Sequence, residues 1–162
     1  NRSPLFLRWI SCPDRMKLNT EKWFTEVYPD DGCALSLEFS EKLHEEQTGW
    51  QKLEVYQTTG FGRLMLLDGC IMLTDRDNFI YHEMMTHPAL CSHPDPKRVL
   101  IIGGGDCGCL REVLKHKSIK HVHQVDLDER VTWASQKYFP DLCESNNDKR
   151  AAFSFTDGGT FL

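Results

Sequence analysis

Three features of the sequence predict an α/β fold in which a small antiparallel β domain precedes the first half of a doubly wound parallel sheet. Between about residues 34 and 74, apolar and polar side chains alternate in short runs broken by glycine-bearing turns, the pattern of half-buried antiparallel strands. Val99-Leu100-Ile101-Ile102 then runs apolar into Gly103-Gly104-Gly105, as a strand buried on both faces does. Beyond it the periodicity switches between strand and helix until the chain ends. At 162 residues and 40% hydrophobic content, the chain has room for one domain or two small ones.

Residues 1–20 mix basic and apolar side chains without periodicity and read as a tail. Residues 21–76 read as the antiparallel meander. Trp23 to Val27 is a short strand or a packing anchor, and Asp30-Asp31-Gly32 is a turn. Ala34 to Ser40 alternates, and the pattern continues to Glu46 before Gly49 breaks it. Lys52–Thr59 is a second alternating strand. Gly60-Phe61-Gly62 leads into Arg63–Leu67, and Asp68-Gly69 is a strong hairpin signal before Cys70–Thr74.

Residues 77–162 read as the parallel-sheet domain. Phe79, Ile80, Glu83, Met84, His87 and Leu90 stand at helical spacings, and Pro94 and Pro96 stop that helix. Strand 99–103, helix 107–117, strand 121–127, helix 129–139 and strand 151–155 follow in turn. In the first of the later helices, Leu110, Val113 and Leu114 form the apolar face, with Arg111, Glu112, Lys115 and Lys117 opposite. Pro140 to Lys149 is a polar loop. An open parallel sheet needs more strands than these three, so the sheet reads as incomplete and both chain ends look cut.

Gly103, Gly105 and Gly108 stand in G-x-G-x-x-G register between a strand and a helix, the context in which the motif points to a nucleotide or nucleoside. Glycines let a ligand lie against the backbone, and the helix start offers free N–H groups. Asp126 ends the next strand about 20 residues on, where such folds keep an acid for the ribose hydroxyls. Asp128 reads as the cap of the following helix. Asp106, Asp126 and Asp157 all fall at carboxyl ends of parallel strands, the rim where ligands bind.

Composition narrows the function. A net charge of −5 without a basic patch argues against nucleic acid. No apolar run reaches the length of a membrane span. Seven cysteines without C-x-x-C spacing imply neither a metal clip nor a disulfide framework, and reduced thiols fit a cytoplasmic location.

Several motifs together carry a resemblance. Leu67-Asp68-Gly69, Thr74-Asp75-Arg76-Asp77-Asn78-Phe79-Ile80-Tyr81-His82-Glu83-Met84-Met85, and Val99 to Asp106 with Leu110-Arg111-Glu112 resemble the spermidine synthase family of polyamine aminopropyltransferases. The similarity runs from about Trp23 to Leu162. It implies a methyltransferase-like Rossmann domain and transfer of an aminopropyl group from decarboxylated S-adenosylmethionine, as co-substrate, to putrescine. The products would be spermidine and methylthioadenosine, with no cofactor or metal. By position, Gln51 and His82 match family contacts to the donor, and Tyr81 a contact near the putrescine amine. Asp106 matches the carboxylate on the donor's ammonium, Asp126 the acid on the ribose, and Asp157 and Gly158 the adenine contacts. The family also implies a homodimer in the full-length form.

The departures set further expectations. The family carries glycine where Cys107 stands, which would put a side chain into the turn nearest the ligand. It carries glutamine where Met72 stands, and glutamate where the shorter Asp126 stands. Its catalytic proton-acceptor aspartate is expected beyond Leu162, so no catalytic residue is assigned within the chain and the fragment is expected not to turn over. Two other readings compete: a catalytically silent relative that binds or dimerises, and a methyltransferase using intact S-adenosylmethionine. Asp106 speaks against the latter, since it would face that donor's own carboxylate.

Overall fold

A computed structural model describes residue 18 and residues 21–162; the expected tail of residues 1–20 lies almost wholly outside them. Five strands come first: β1 (Trp23–Tyr28), β2 (Cys33–Gln47), β3 (Lys52–Thr58), β4 (Arg63–Leu67) and β5 (Cys70–Thr74). They pair in chain order as an antiparallel meander. At the β4–β5 turn, Asp68 and Gly69 both take positive φ, 50° and 79°, which matches the right-handed twist of the strands they join. β2 is long because register shifts near Ser40 and Leu43 let one strand serve β1 and then β3.

Helix α1 (Asn78–Ser92) leads to β6 (Arg98–Ile102), α2 (Gly108–Leu114), β7 (His121–Asp126), α3 (Glu129–Tyr138), a 3-10 turn at Pro140–Leu142, β8 (Ala151–Phe155) and the short α4 (Gly158–Phe161). β6, β7 and β8 form a parallel sheet in that order. Val99, Ile101, Val122 and Phe153 pack on Leu110, Val113 and Leu114 of α2. On the opposite face Leu100 and Ile102 are exposed. Among the described residues no helix is long and apolar enough to cross a membrane.

The two sheets are joined by one core. Leu53, Val55, Met65 and Leu73 of the meander pack against Val131 and Ala134 of α3 and against Phe139 and Leu142 beyond it. Polar contacts flank this core. Arg130 makes a two-pronged ion pair with Glu46, at 2.8 and 2.9 Å, while its guanidinium lies 4.0 Å from the Trp133 ring centre. The Tyr138 hydroxyl donates to the Leu43 carbonyl at 3.3 Å.

Three details depart from the sequence reading. The buried residues of α1 are His82 and Thr86, while Phe79, Ile80, Met84 and Met85 remain exposed. A small, polar face lets α1 approach α2 closely, so helical spacing of apolar residues marked the wrong side. Glu112, placed on the polar face of α2, is fully buried. Its carboxylate is neutralised by Arg111 at 3.0 Å and Lys115 at 2.6 Å, with His87 at 3.3 Å. β6, read as buried on both faces, leaves Leu100 and Ile102 exposed on one of them.

Leu53 is fully buried where the meander meets α3. Leu53→Ala is expected to lower unfolding free energy by about 2–5 kcal/mol, the usual cost of emptying a buried leucine site. Urea titration followed by fluorescence checks it; a loss under about 1 kcal/mol would show that the two sheets do not share their core.

Candidate functional site

The glycine turn after β6 is held by backbone shape and one carboxylate. Gly103 and Gly104 adopt φ of 79° and 83°, a region that side chains oppose. The Gly103 amide donates to the Val125 carbonyl at 2.8 Å, which extends the β6–β7 pairing into the turn. Asp126 Oδ2 accepts the Gly105 amide at 2.8 Å, and Asp126 Oδ1 accepts the Asp128 amide at 2.9 Å. A methyl at Gly105 would stand 3.0 Å from both Asp126 and Val131, so either neighbour would have to give by a few tenths of an ångström to admit one.

Above the turn lies a cavity of about 640 Å³. Gly103, Gly104, Gly105, Asp106, Asp126 and Gly158 line it from the parallel sheet, and Gln51, Ile71, Met72, Tyr81 and Met85 from the meander and α1. Two carboxylates face it, and among the described residues no lysine or arginine lines it. Burial raises the Asp126 carboxyl above the ordinary aspartate value, although the Asp128 and Gly105 amides pull the other way. Burial likewise raises the Tyr81 phenol. Ile71, Met72, Tyr81 and Met85 also border a neighbouring, mostly apolar groove of about 590 Å³.

Each sequence-assigned residue has a defined place. Gln51 lines the cavity and donates from Nε2 to Asp128 Oδ2 at 3.1 Å, so it is fixed by α3's cap. Asp128 Oδ1 accepts the Arg130 amide at 3.0 Å, the capping role expected of it, while Oδ2 also takes the Thr48 hydroxyl at 2.7 Å. Tyr81 is exposed along the cavity wall. Asp106 Oδ1 accepts the Gly108 amide at 2.7 Å.

His82 sits elsewhere than a ligand contact would. It is 1% exposed and lies behind Asp106, its Nε2 3.2 Å from Oδ1 but without the alignment of a hydrogen bond. Its imidazole occupies the space that a side chain at Gly108 would need. The third glycine of the motif therefore accommodates a protein ring. Asp157 does not line the cavity. It caps α4, accepting the Thr160 amide at 2.7 Å and hydroxyl at 2.9 Å, and only its neighbour Gly158 reaches the wall. A methyl on Gly158 would stand 2.5 Å from Ile102.

Cys107 corrects an expectation. Its side chain does not enter the cavity: with φ of 69° it turns inward and is fully buried beside Gln124 and Asn146. Left-handed geometry in a residue with a Cβ costs about 1–2 kcal/mol. Met72 does line the cavity, presenting a thioether where the family pattern has an amide. Sequence reasoning missed Cys109 and Met85 as wall residues. Met85 ends one of the stretches that carry the resemblance, but no role attached to it or to Cys109, and only their closeness to the glycine turn in three dimensions selects them.

Comparison with known proteins agrees with this geometry. Residues 22–75 match the spermidine synthase tetramerisation domain, and residues 78–162 the spermine/spermidine synthase domain. The chain is 67% identical to a polyamine aminopropyltransferase of Thioalkalivibrio sulfidiphilus over 136 residues, 84% of this chain and 47% of that protein. It is 61% identical to one of Methylococcus capsulatus over 140 residues, 86% of this chain and 49% of the other. The crystal structure of spermidine synthase from Thermotoga maritima superposes with a TM-score of 0.83 at 33% identity, covering 93% of this chain and 53% of that one. A spermidine synthase in complex with the transition-state analogue AdoDATO also superposes at 0.83 and 33% identity, covering 93% of this chain and 52% of the other. The chain thus spans about half the length of the curated relatives it matches.

The His82–Gly108 fit is open to a double-mutant cycle. Gly108→Ala is expected to cost about 1–3 kcal/mol by overpacking, and less than half as much in a His82→Ala background. Additive losses in thermal or urea denaturation would show that the ring does not set this constraint.

Proposed function

The chain belongs to the spermidine synthase family, and on that premise we propose that it is the donor-binding part of an aminopropyltransferase. It would use decarboxylated S-adenosylmethionine as co-substrate and putrescine as acceptor, releasing spermidine and methylthioadenosine. One observation carries this reading: a cavity beside a glycine turn with two carboxylates, Asp106 and Asp126, and no basic side chain in its wall among the described residues. The donor is a nucleoside bearing a sulfonium and an ammonium, and the acceptor is a diamine. Both suit an acidic, cation-free site.

The residues divide the work. Gly103, Gly104 and Gly105 give the nucleoside close access to backbone. Asp126, already oriented by two amides, accepts from the ribose hydroxyls with its remaining lone pairs. Asp106 binds the aminopropyl ammonium. His82, buried behind it, acts as a positioning residue. Gln51 closes the cavity from the meander side, Gly158 borders the nucleobase with Asp157 at the adjoining rim, and Tyr81 stands near the acceptor amine. The reaction is an in-line displacement at carbon. The amine lone pair forms the C–N bond, the C–S bond breaks, and the sulfonium leaves as neutral thioether while the amine sheds a proton. Holding donor and acceptor in line supplies most of the rate gain.

Ile71, Met72, Tyr81 and Met85 suit the methylene spacer of a diamine, since they border both the cavity and the apolar groove. The match of residues 22–75 to a tetramerisation domain, with Ile80 and Met84 exposed nearby, supports self-association, which we assign as a homodimer. Free cysteines throughout the described residues fit the cytoplasm. The catalytically silent alternative drew on Cys107 and Met72: the Cys107 thiol faces away from the cavity, whereas Met72 lines it.

Calorimetry distinguishes the donor readings. Decarboxylated S-adenosylmethionine should bind more tightly than the intact form, and the reverse preference would favour a methyltransferase. Asp106→Asn should weaken the decarboxylated donor by about ten- to a hundredfold, a loss of about 1.4–2.8 kcal/mol. Methylthioadenosine lacks the ammonium and should change only a few-fold; equal losses for both would remove Asp106 from its assigned role.

The pH dependence follows from Asp126. Its carboxyl is raised in the folded chain, so the proton binds more readily there than in the unfolded chain, and the stability gained by protonation is lost as pH rises through the folded value. At neutral pH the ionised group is available to the cationic donor. As pH falls, affinity should decline beginning above about pH 4, the ordinary aspartate range. Affinity that holds flat to below that point would argue against an Asp126 contact.

A further inference from the structure

We propose that Cys107 and Cys143 form a thiol pair behind the glycine turn that a peroxide-class oxidant closes to a disulfide. Cys107 follows Asp106 directly, and its left-handed backbone sends the sulfur away from the cavity into the protein. Asn146 Nδ2 donates to that sulfur at 3.3 Å and Gln124 Nε2 at 3.7 Å. The carbonyl oxygens of the same two amides, Asn146 Oδ1 and Gln124 Oε1, are buried without a partner among the described residues. The sulfur is thus what both buried amides bond to. Cys143 completes the set. Its thiol donates to the Asp106 carbonyl at 3.9 Å while the Cys107 thiol donates to the Gly105 carbonyl at 3.5 Å, so the two sulfurs sit against consecutive peptide groups of one turn.

Exposure divides the roles. Cys143 is partly open to solvent, whereas Cys107 is not. The Cys143 sulfur attacks one oxygen of the peroxide. The S–O bond forms, the O–O bond breaks, and the departing hydroxide takes up the thiol proton as water. The buried Cys107 sulfur then attacks the Cys143 sulfenic sulfur. The S–S bond forms, the S–O bond breaks, and a second water leaves with the Cys107 proton. Two thiols are oxidised and one peroxide is reduced to two waters, so the step needs no other reactant.

Closure draws the turn at Asp106 and Gly108 toward the loop after α3. It thereby displaces the carboxylate that faces the cavity and weakens ligand binding there. This consequence rests on the reading of the cavity given above, whereas the cross-link does not.

The full chain is treated with hydrogen peroxide in small excess, alkylated under denaturing conditions and mapped by peptide mass for all seven cysteines. The expected result is a joined Cys107–Cys143 peptide pair, cleaved by dithiothreitol and absent from Cys143→Ser. Cys107→Gly removes the partner and suits the left-handed backbone, and in it Cys143 should be trapped by dimedone as the sulfenic acid. Recovery of Cys107 and Cys143 as separate alkylated thiols while Cys33, Cys70 and Cys91 oxidise overturns the proposal, as does a Cys107 link to any other cysteine. Methylthioadenosine titrated into reduced and oxidised protein should bind at least about tenfold more weakly after oxidation and recover on reduction. Equal affinities overturn the coupling to the cavity. Absence of binding in the reduced protein instead overturns the reading of the cavity and leaves the mapping result standing.

Discussion

Both oxygens of the Asp126 carboxylate are engaged by backbone, Oδ2 by the Gly105 amide and Oδ1 by the Asp128 amide. One side chain at the end of β7 therefore holds the turn after β6 and the entry to α3 at once. The burial that strengthens these hydrogen bonds also raises the cost of the charge they share. The turn is glycine where a side chain would bring strain or crowding: positive φ at Gly103 and Gly104, and a tight Cβ position at Gly105. The same carboxylate edge remains available to a ligand, so the geometry that fixes the fold at this point also fixes the floor of the cavity.

The strands and the glycine turn were legible in the sequence because their signals are local. Alternation in Lys52–Thr58, the Asp68-Gly69 hairpin and the apolar run into Gly103 each encode an element within a few residues. The cap at Asp128 was legible for the same reason. Asp106 and Asp126 reached the cavity as expected, because carboxyl ends of parallel strands share one rim.

What escaped sequence reasoning depends on partners far along the chain. The inner face of α1 could not be read from hydropathy, because a histidine and a threonine face α2 across a glycine. Glu112 looked like a solvent residue until Arg111, Lys115 and His87 gathered around it. Asp157 has the spacing of a rim carboxylate, yet a free amide and hydroxyl at Thr160 were nearer competitors. Cys107 was expected to intrude on the ligand. The sign of φ, invisible in the sequence, sent it the other way.

Asp128 connects what hydropathy had separated. Its Oδ1 starts α3 while its Oδ2 holds Thr48 and Gln51 from the loop between β2 and β3. Those three positions form a single structural unit: replacing the acid would strand the hydroxyl and the amide 80 and 77 residues earlier. Joint drift at 48, 51 and 128, with each changing only in company, is the imprint this latch should leave on the sequences of its relatives.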